Sequence, residues 1–274
     1  ASARACRGYF LDIHSSLQTP ETVALHRLPT GKVIARLSWQ LSEHELRRTQ
    51  MLQPPEILHI RNRHGTLLYA ALFRPDTEDF GPGPYPTVVS LYGGPHVQLV
   101  QNGWGLTTSM REQLYRQKGW LVVKIDNRGS ANRGVGFESA IRHRLGEAEI
   151  EDQVDGLEWL VQQGLADPGK VVCMGWSYGG YLAARMLMHP ASRGKFVAAV
   201  AGAPVTHWDG YDTGYTERYM GTPENNAKGY RSSSVFEHVD KMEGSLLLVH
   251  GLLDENVHFR HTARLINRLI TAQK

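Results

Sequence analysis

The chain has only two cysteines, Cys6 and Cys173, in 274 residues, and neither these nor its thirteen histidines show paired-cysteine or H-E-x-x-H spacing. A disulfide framework is thereby excluded, and no structural or catalytic metal, nor any other cofactor, is expected. Cys173 sits in an apolar run and reads as a buried, inert thiol of a reducing compartment. Long apolar runs are missing too. No stretch approaches the roughly 18 residues of a membrane span, and Ala1 to Phe10 lacks the apolar core of a signal peptide, so no membrane partner is expected. Charge of one sign is equally scarce: 30 Lys and Arg stand against 27 Asp and Glu, and the basic residues are scattered rather than gathered in a stripe. A nucleic-acid partner has no support from that pattern. What is present, 41% hydrophobic residues over a chain of this length, suffices for a full core in one α/β domain with an appendage.

The stretch Val171-Val172-Cys173-Met174-Gly175-Trp176-Ser177-Tyr178-Gly179-Gly180 reads as a buried strand turning sharply into a helix, with Ser177 at the apex of a G-x-S-x-G motif. Gly175 and Gly179 remove side chains that would collide in so tight a turn, and the strained backbone lifts the Ser177 hydroxyl clear of the sheet. The helix starting there aims unpaired N–H groups, the Tyr178 amide first, at the place where an oxyanion forms when a serine attacks a carbonyl. A glycine-rich turn with an incidental serine is the bland alternative, and the helical run from Tyr181 to Met188 argues against it.

Three short β-like segments, Phe10 to Ser16, Thr22 to Leu28 and Lys32 to Leu37, open the chain as a meander that looks like part of an all-β unit. Ser42 to Gln53, followed by Pro54-Pro55, reads as a linker. Glu56 to Arg61 and Thr66 to Phe73 flank a turn and form an antiparallel pair that opens a larger sheet. Beyond Pro86 strands alternate with helices: Thr87 to Tyr92, Leu106 to Lys118, Trp120 to Asp126, Glu149 to Gln163, Lys170 to Gly175, Tyr178 to Met188, Phe196 to Ala201, Ser245 to Gly251 and Phe259 to Ala272. Apolar strands separated by helices imply a mostly parallel, doubly wound sheet covered on both faces, with chemistry at the carboxyl ends of its strands.

Tyr92 ends one such strand, where an α/β-hydrolase supplies its second oxyanion donor; its phenol either serves there or packs against the loop. Asp126-Asn127-Arg128-Gly129 ends the next and reads as a structural turn and ion-pair site. The strand Ser245 to Gly251 leads into Asp254 and Glu255, so that serine precedes acid in the chain order of α/β-hydrolases. Asp254, nearer the strand end, is preferred over Glu255 as the acid that would orient an imidazole. Trp208, Tyr211 and Tyr215 fall on one helical face, either as core or as the wall of a binding pocket.

Gly175-Trp176-Ser177-Tyr178-Gly179-Gly180, Tyr92-Gly93-Gly94-Pro95, Ala203-Pro204-Val205 with Tyr215 to Met220, and Asp254-Glu255-Asn256-Val257-His258-Phe259 together resemble the dipeptidyl peptidase branch of the prolyl oligopeptidase family. Pro54-Pro55-Glu56-Ile57 and Glu149 to Gln153 resemble its cytosolic members, which implies a cytoplasmic location. The resemblance implies an α/β-hydrolase fold over 51–274, preceded over 1–50 by the remnant of a β-propeller and its linker. It implies Ser177 as nucleophile, Asp254 as triad acid, and the Tyr178 amide with the Tyr92 hydroxyl as oxyanion hole. Tyr178, Val205, Trp208, Tyr211, Tyr215 and Val257 would line a pocket for a proline ring, and Asn256 would bind the carbonyl before it. The implied reaction is release of dipeptides from peptide substrates carrying proline or alanine second.

The family's triad histidine has no counterpart at the expected place. Only twenty residues follow Asp254. His258 and His261 lie too close to Asp254 in sequence to serve as the base. The expectation is therefore a fragment or incomplete product of an active peptidase, inactive as given, with homodimerisation expected of the intact protein rather than of this chain. An esterase or acylaminoacyl peptidase on the same fold, and a non-catalytic interaction protein derived from the peptidase, are the rival readings.

Overall fold

The computed structural model describes residues 5–6, 8–37 and 51–274. The linker expected at Ser42 to Gln53 lies mostly outside these residues. The opening meander forms a four-stranded antiparallel sheet: β1 (Ala5–Cys6), β2 (Tyr9–His14), β3 (Thr22–Arg27) and β4 (Val33–Arg36), in sequential order. Leu17, in the turn after β2, anchors it to the rest of the chain. Its side chain is buried, its N–H donates to Asn102 at 3.0 Å, and its carbonyl accepts from the Thr107 hydroxyl at 2.7 Å.

The larger sheet holds seven strands: β5 (Glu56–Arg61), β6 (Leu67–Phe73), β7 (Tyr85–Leu91), β8 (Leu121–Asp126), β9 (Ala166–Trp176), β10 (Ala198–Gly202) and β11 (Ser245–Val249). Across the sheet they run β11-β10-β9-β7-β8-β6-β5, parallel from β11 to β8 and antiparallel at β6 and β5. After β7 the chain adds β8 on one side and β9 on the other. That reversal opens a crevice beyond the carboxyl ends of β7 and β9, where ligands bind in open α/β sheets.

Five helices frame the core and the crevice: α1 (Met110–Gln117), α2 (Ala148–Gln162), α3 (Tyr178–Met186), α4 (Thr213–Met220) and α5 (Arg260–Thr271). Every residue of α3 is buried, including Arg185, whose guanidinium pairs with Glu147 at 2.9 Å. Val171 and Cys173 on β9, Leu182 on α3 and Val154 and Leu157 on α2 join in the main core. Each fully buried aliphatic side chain there contributes about 1.5–3 kcal/mol. Burial also pushes the Cys173 thiol up, so it stays protonated.

Two departures from the sequence reading lie in the sheet and the helices that cover it. The helix expected over Leu106 to Lys118 is two, Trp104–Thr107 and α1, because Ser109 is not helical. The Gln113 amide takes the Thr107 carbonyl at 2.9 Å, so a side chain satisfies one backbone group freed at the break. Cover on both faces fails at one end of the sheet. Met174, Val200 and Leu247 are in register on one face, and along it Leu247 and Val249 on β11 remain 57% and 42% exposed. The Asp126 to Gly129 turn is structural, as read: Asp126 accepts the Leu99 and Val100 N–H groups, and Arg128 grips Asp152 through Nε and Nη2.

Candidate active site

Ser177 stands between β9 and α3 with φ 57° and ψ −115°, a left-handed conformation costly for a residue with a side chain. Its N–H donates to Gly202 O at 2.9 Å, and its carbonyl accepts from Tyr181 N at 2.9 Å, so the strain is held from both sides. The turn is too tight for other residues. A Cβ on Gly175 would lie 2.4 Å from the Gly179 backbone, and one on Gly179 would lie 2.4 Å from Leu91 O. Ser177 itself is half-buried and open to solvent.

The pairing of Leu91 with Gly175 brings the ends of β7 and β9 side by side. Tyr92 and Ser177 follow those ends and line one cavity of about 90 Å³ with Tyr178, Val205, Trp208, Tyr211, Tyr215 and Asn256. Its walls are aromatic. The Trp208 and Tyr215 rings are stacked at 17° with centroids 6.2 Å apart, and Tyr211 meets Tyr215 edge-on at 5.4 Å. Trp208, Tyr211 and Tyr215 do not share one helical face. Asp212 caps α4 by accepting the Tyr215 N–H at 2.7 Å, so α4 starts between Tyr211 and Tyr215, with Trp208 in a separate short turn. Burial above all, with neighbouring phenols, raises the Tyr92 pKa, and burial does the same for Tyr178, Tyr211 and Tyr215. These phenols therefore remain neutral donors at physiological pH.

Asp254 and Val257 stand off the cavity wall, in the loop after β11. Asp254 Oδ1 accepts the Asn256 and Val257 N–H groups at 3.0 and 2.9 Å, whereas Glu255 is exposed. Val257 is 1% exposed and belongs to the main core. Asn256 joins the cavity through Oδ1, which accepts from the Tyr211 hydroxyl at 2.9 Å. His250, which sequence reasoning passed over, ties this loop down. Its Nε2 faces the Val257 carbonyl at 2.7 Å and so carries hydrogen, Nδ1 meets the Thr262 hydroxyl at 2.7 Å, and Asp254 Oδ2 is 3.6 Å from Nε2.

The histidines nearest Asp254 in sequence are differently placed. His258 is exposed, and His261 is fully buried on α5, with Nδ1 facing Thr206 N and the Thr206 hydroxyl at 3.2 Å and Nε2 facing Gly210 O at 3.2 Å. Among the described residues no group of His, Cys, Asp or Glu is placed to hold a metal, and no helix is long and apolar enough to cross a membrane. Glu149, also unassigned from sequence, is fully buried and accepts the Tyr178 hydroxyl at 2.5 Å.

A strained serine at a strand-to-helix elbow, on a mostly parallel sheet with its crevice beside β7, defines the α/β-hydrolase fold. The model of the prolyl oligopeptidase family (Peptidase_S9) matches residues 106–274, and the chain belongs to that family. It is 42% identical to dipeptidyl peptidase 8 of Mus musculus over 97% of this chain and 30% of that protein, and 36% identical to dipeptidyl peptidase 4 of Sus scrofa over 80% and 28%. The crystal structure of Porphyromonas gingivalis dipeptidyl peptidase 4 superposes with a TM-score of 0.90 at 31% identity, over 99% of this chain and 38% of that one. The chain thus spans between 28% and 38% of the length of these relatives.

Proposed function

We propose that the chain carries the serine-peptidase centre of a dipeptidyl peptidase, which releases amino-terminal dipeptides with proline or alanine second through an acyl-enzyme. Ser177 attacks the carbonyl after the second residue. The Tyr178 N–H and the Tyr92 hydroxyl receive the oxyanion, Asp254 orients the base, and Asn256 takes the carbonyl before the proline.

The observation that carries this reading is that Ser177 shares one small aromatic cavity with Tyr92, Tyr178 and Trp208. Its volume of about 90 Å³ is below the ~150 Å³ of an engineered cavity that takes benzene. A cavity of that size suits a five-membered ring or a methyl group. Proline adds rigidity, lacks an N–H that would go unpaired, and stacks on aromatic faces. The four-stranded antiparallel sheet β1 to β4 has the form of one propeller blade, which supports reading 1–50 as the end of a propeller and its linker.

With His258 at the surface and His261 turned to Thr206 and Gly210, these 274 residues offer neither as a base to Ser177. We expect the chain to bind alanyl-pyrrolidide in its cavity, and to hydrolyse a Gly-Pro or Ala-Pro chromogenic substrate on the order of 10⁴-fold or more below an intact family member. Calorimetry and a turnover assay test the two halves separately. Turnover matching an intact member overturns the inactivity, and failure to bind the pyrrolidide overturns the peptidase reading.

A further inference from the structure

Glu149 lies one residue inside the amino terminus of α2, is 0% exposed, and has no cation paired with it among the described residues. A buried carboxylate without a counter-ion is costly unless hydrogen-bond donors replace its water. Three donors do so. The Gly146 N–H at 2.9 Å and the Tyr178 hydroxyl at 2.5 Å meet Oε1, and the Glu147 N–H at 3.1 Å meets Oε2. The amino end of α2 adds favourable partial charge.

Two of these donors are local to α2, whereas the third comes from the residue that follows Ser177. Tyr178 does two things at once: it opens the helix directly after the serine, and it lines the cavity. Its ring lies against Trp208 at 5.3 Å, Tyr181 at 5.5 Å and Tyr92 at 6.1 Å. Phenylalanine would fill that ring space equally well, so packing alone does not explain the hydroxyl. Glu149 does, by holding it.

We propose that Glu149 is a positioning residue for substrate selection: by clamping the Tyr178 hydroxyl from behind the cavity, it fixes the tilt of that ring and hence the width that admits a five-membered ring at the second substrate residue. The inference rests on the peptidase reading and deepens it. A loosened Tyr178 ring gives up its contact with a pyrrolidine ring, which needs both walls, and gives up little with an open chain, which touches one.

The test uses the full chain and two ligands that share an alanyl group, alanyl-pyrrolidide and alanyl-ethylamide, measured calorimetrically with Y178F, E149Q and the double variant. Each single variant is expected to weaken the pyrrolidide about tenfold, the scale of one hydrogen bond to a charged group, and the ethylamide by less than about twofold. The double variant should bind no worse than the weaker-binding single, because both remove one interaction. Equal weakening of both ligands, unchanged affinities, or losses that multiply in the double variant overturn the clamp. E149Q sets an amide NH₂ against the Glu147 N–H; should it fail to fold, Y178F decides alone, because it leaves both backbone donors on Glu149. Wild-type protein that binds neither ligand overturns the peptidase reading and the clamp with it, whereas wild-type binding with an unshifted ratio in the variants overturns the clamp alone.

Discussion

Replacing Gly94 with alanine tests how tightly the cavity wall is held. A Cβ at Gly94 would lie 2.6 Å from Tyr178 Cγ and 2.8 and 2.9 Å from Cδ2 and Cδ1. Favourable carbon contacts fall at about 3.5–4.0 Å, so something must move by roughly 1 Å. The Tyr178 ring is the poorer candidate, with its hydroxyl on Glu149 and its faces against Trp208 and Tyr181. The Gly93-Gly94-Pro95 loop is the other, and moving it drags Tyr92, the neighbour of Gly93, off the serine. Overpacking of this kind costs about 1–3 kcal/mol. We expect G94A to lower the unfolding free energy by that amount in urea titrations and the affinity for alanyl-pyrrolidide at least tenfold in calorimetry. Gly105, with open space where its Cβ would be, is the control, and G105A should stay within about 0.5 kcal/mol. A G94A protein as stable as wild type, with unchanged affinity, would refute the reasoning that joins this loop to the Tyr178 ring.

Y92F removes the proposed second oxyanion donor and leaves the ring, so acylation by a Gly-Pro chromogenic substrate, followed in an intact relative carrying this domain, should fall about 10²–10³-fold. Its affinity for alanyl-pyrrolidide, which has no scissile carbonyl in the cavity, should change less than threefold; an equal loss in both would make Tyr92 a packing residue. Acid should also destabilise the region behind the cavity. Burial, with nearby Arg264 for His207 and with His207 itself for His261, holds both imidazoles at about 4 against an ordinary 6.5. The folded state thus binds fewer protons than the unfolded chain between those values, and the stability present above pH 6.5 is lost as pH falls towards 4. Asp126, pushed up to about 6 chiefly by burial, titrates with the opposite sign, so the contrast is drawn between proteins. H207Q should flatten the fall in urea-measured stability between pH 7 and 4.5, and an unchanged slope would discount the histidine pair.

How much of this was legible beforehand depends on whether the cause lay in local spacing. The elbow was legible because Gly175 and Gly179 have no substitute where their Cβ atoms would strike backbone at 2.4 Å. The gathering of residues 92, 177 and 205 to 215 was legible too, because a parallel sheet delivers its strand ends to one edge. The continuous helix through Trp208, Tyr211 and Tyr215 was misread because periodicity is blind to Asp212, whose carboxylate starts a new helix at that point. Glu149 could not be read at all. An acid in the first turn of a helix is ordinary, and only its 2.5 Å contact with a hydroxyl 29 residues away distinguishes it. The bare end of the sheet follows the same logic. Leu246 to Val249 are apolar throughout, so the run reads as buried on both faces, and such a run carries no information about how far each face is covered.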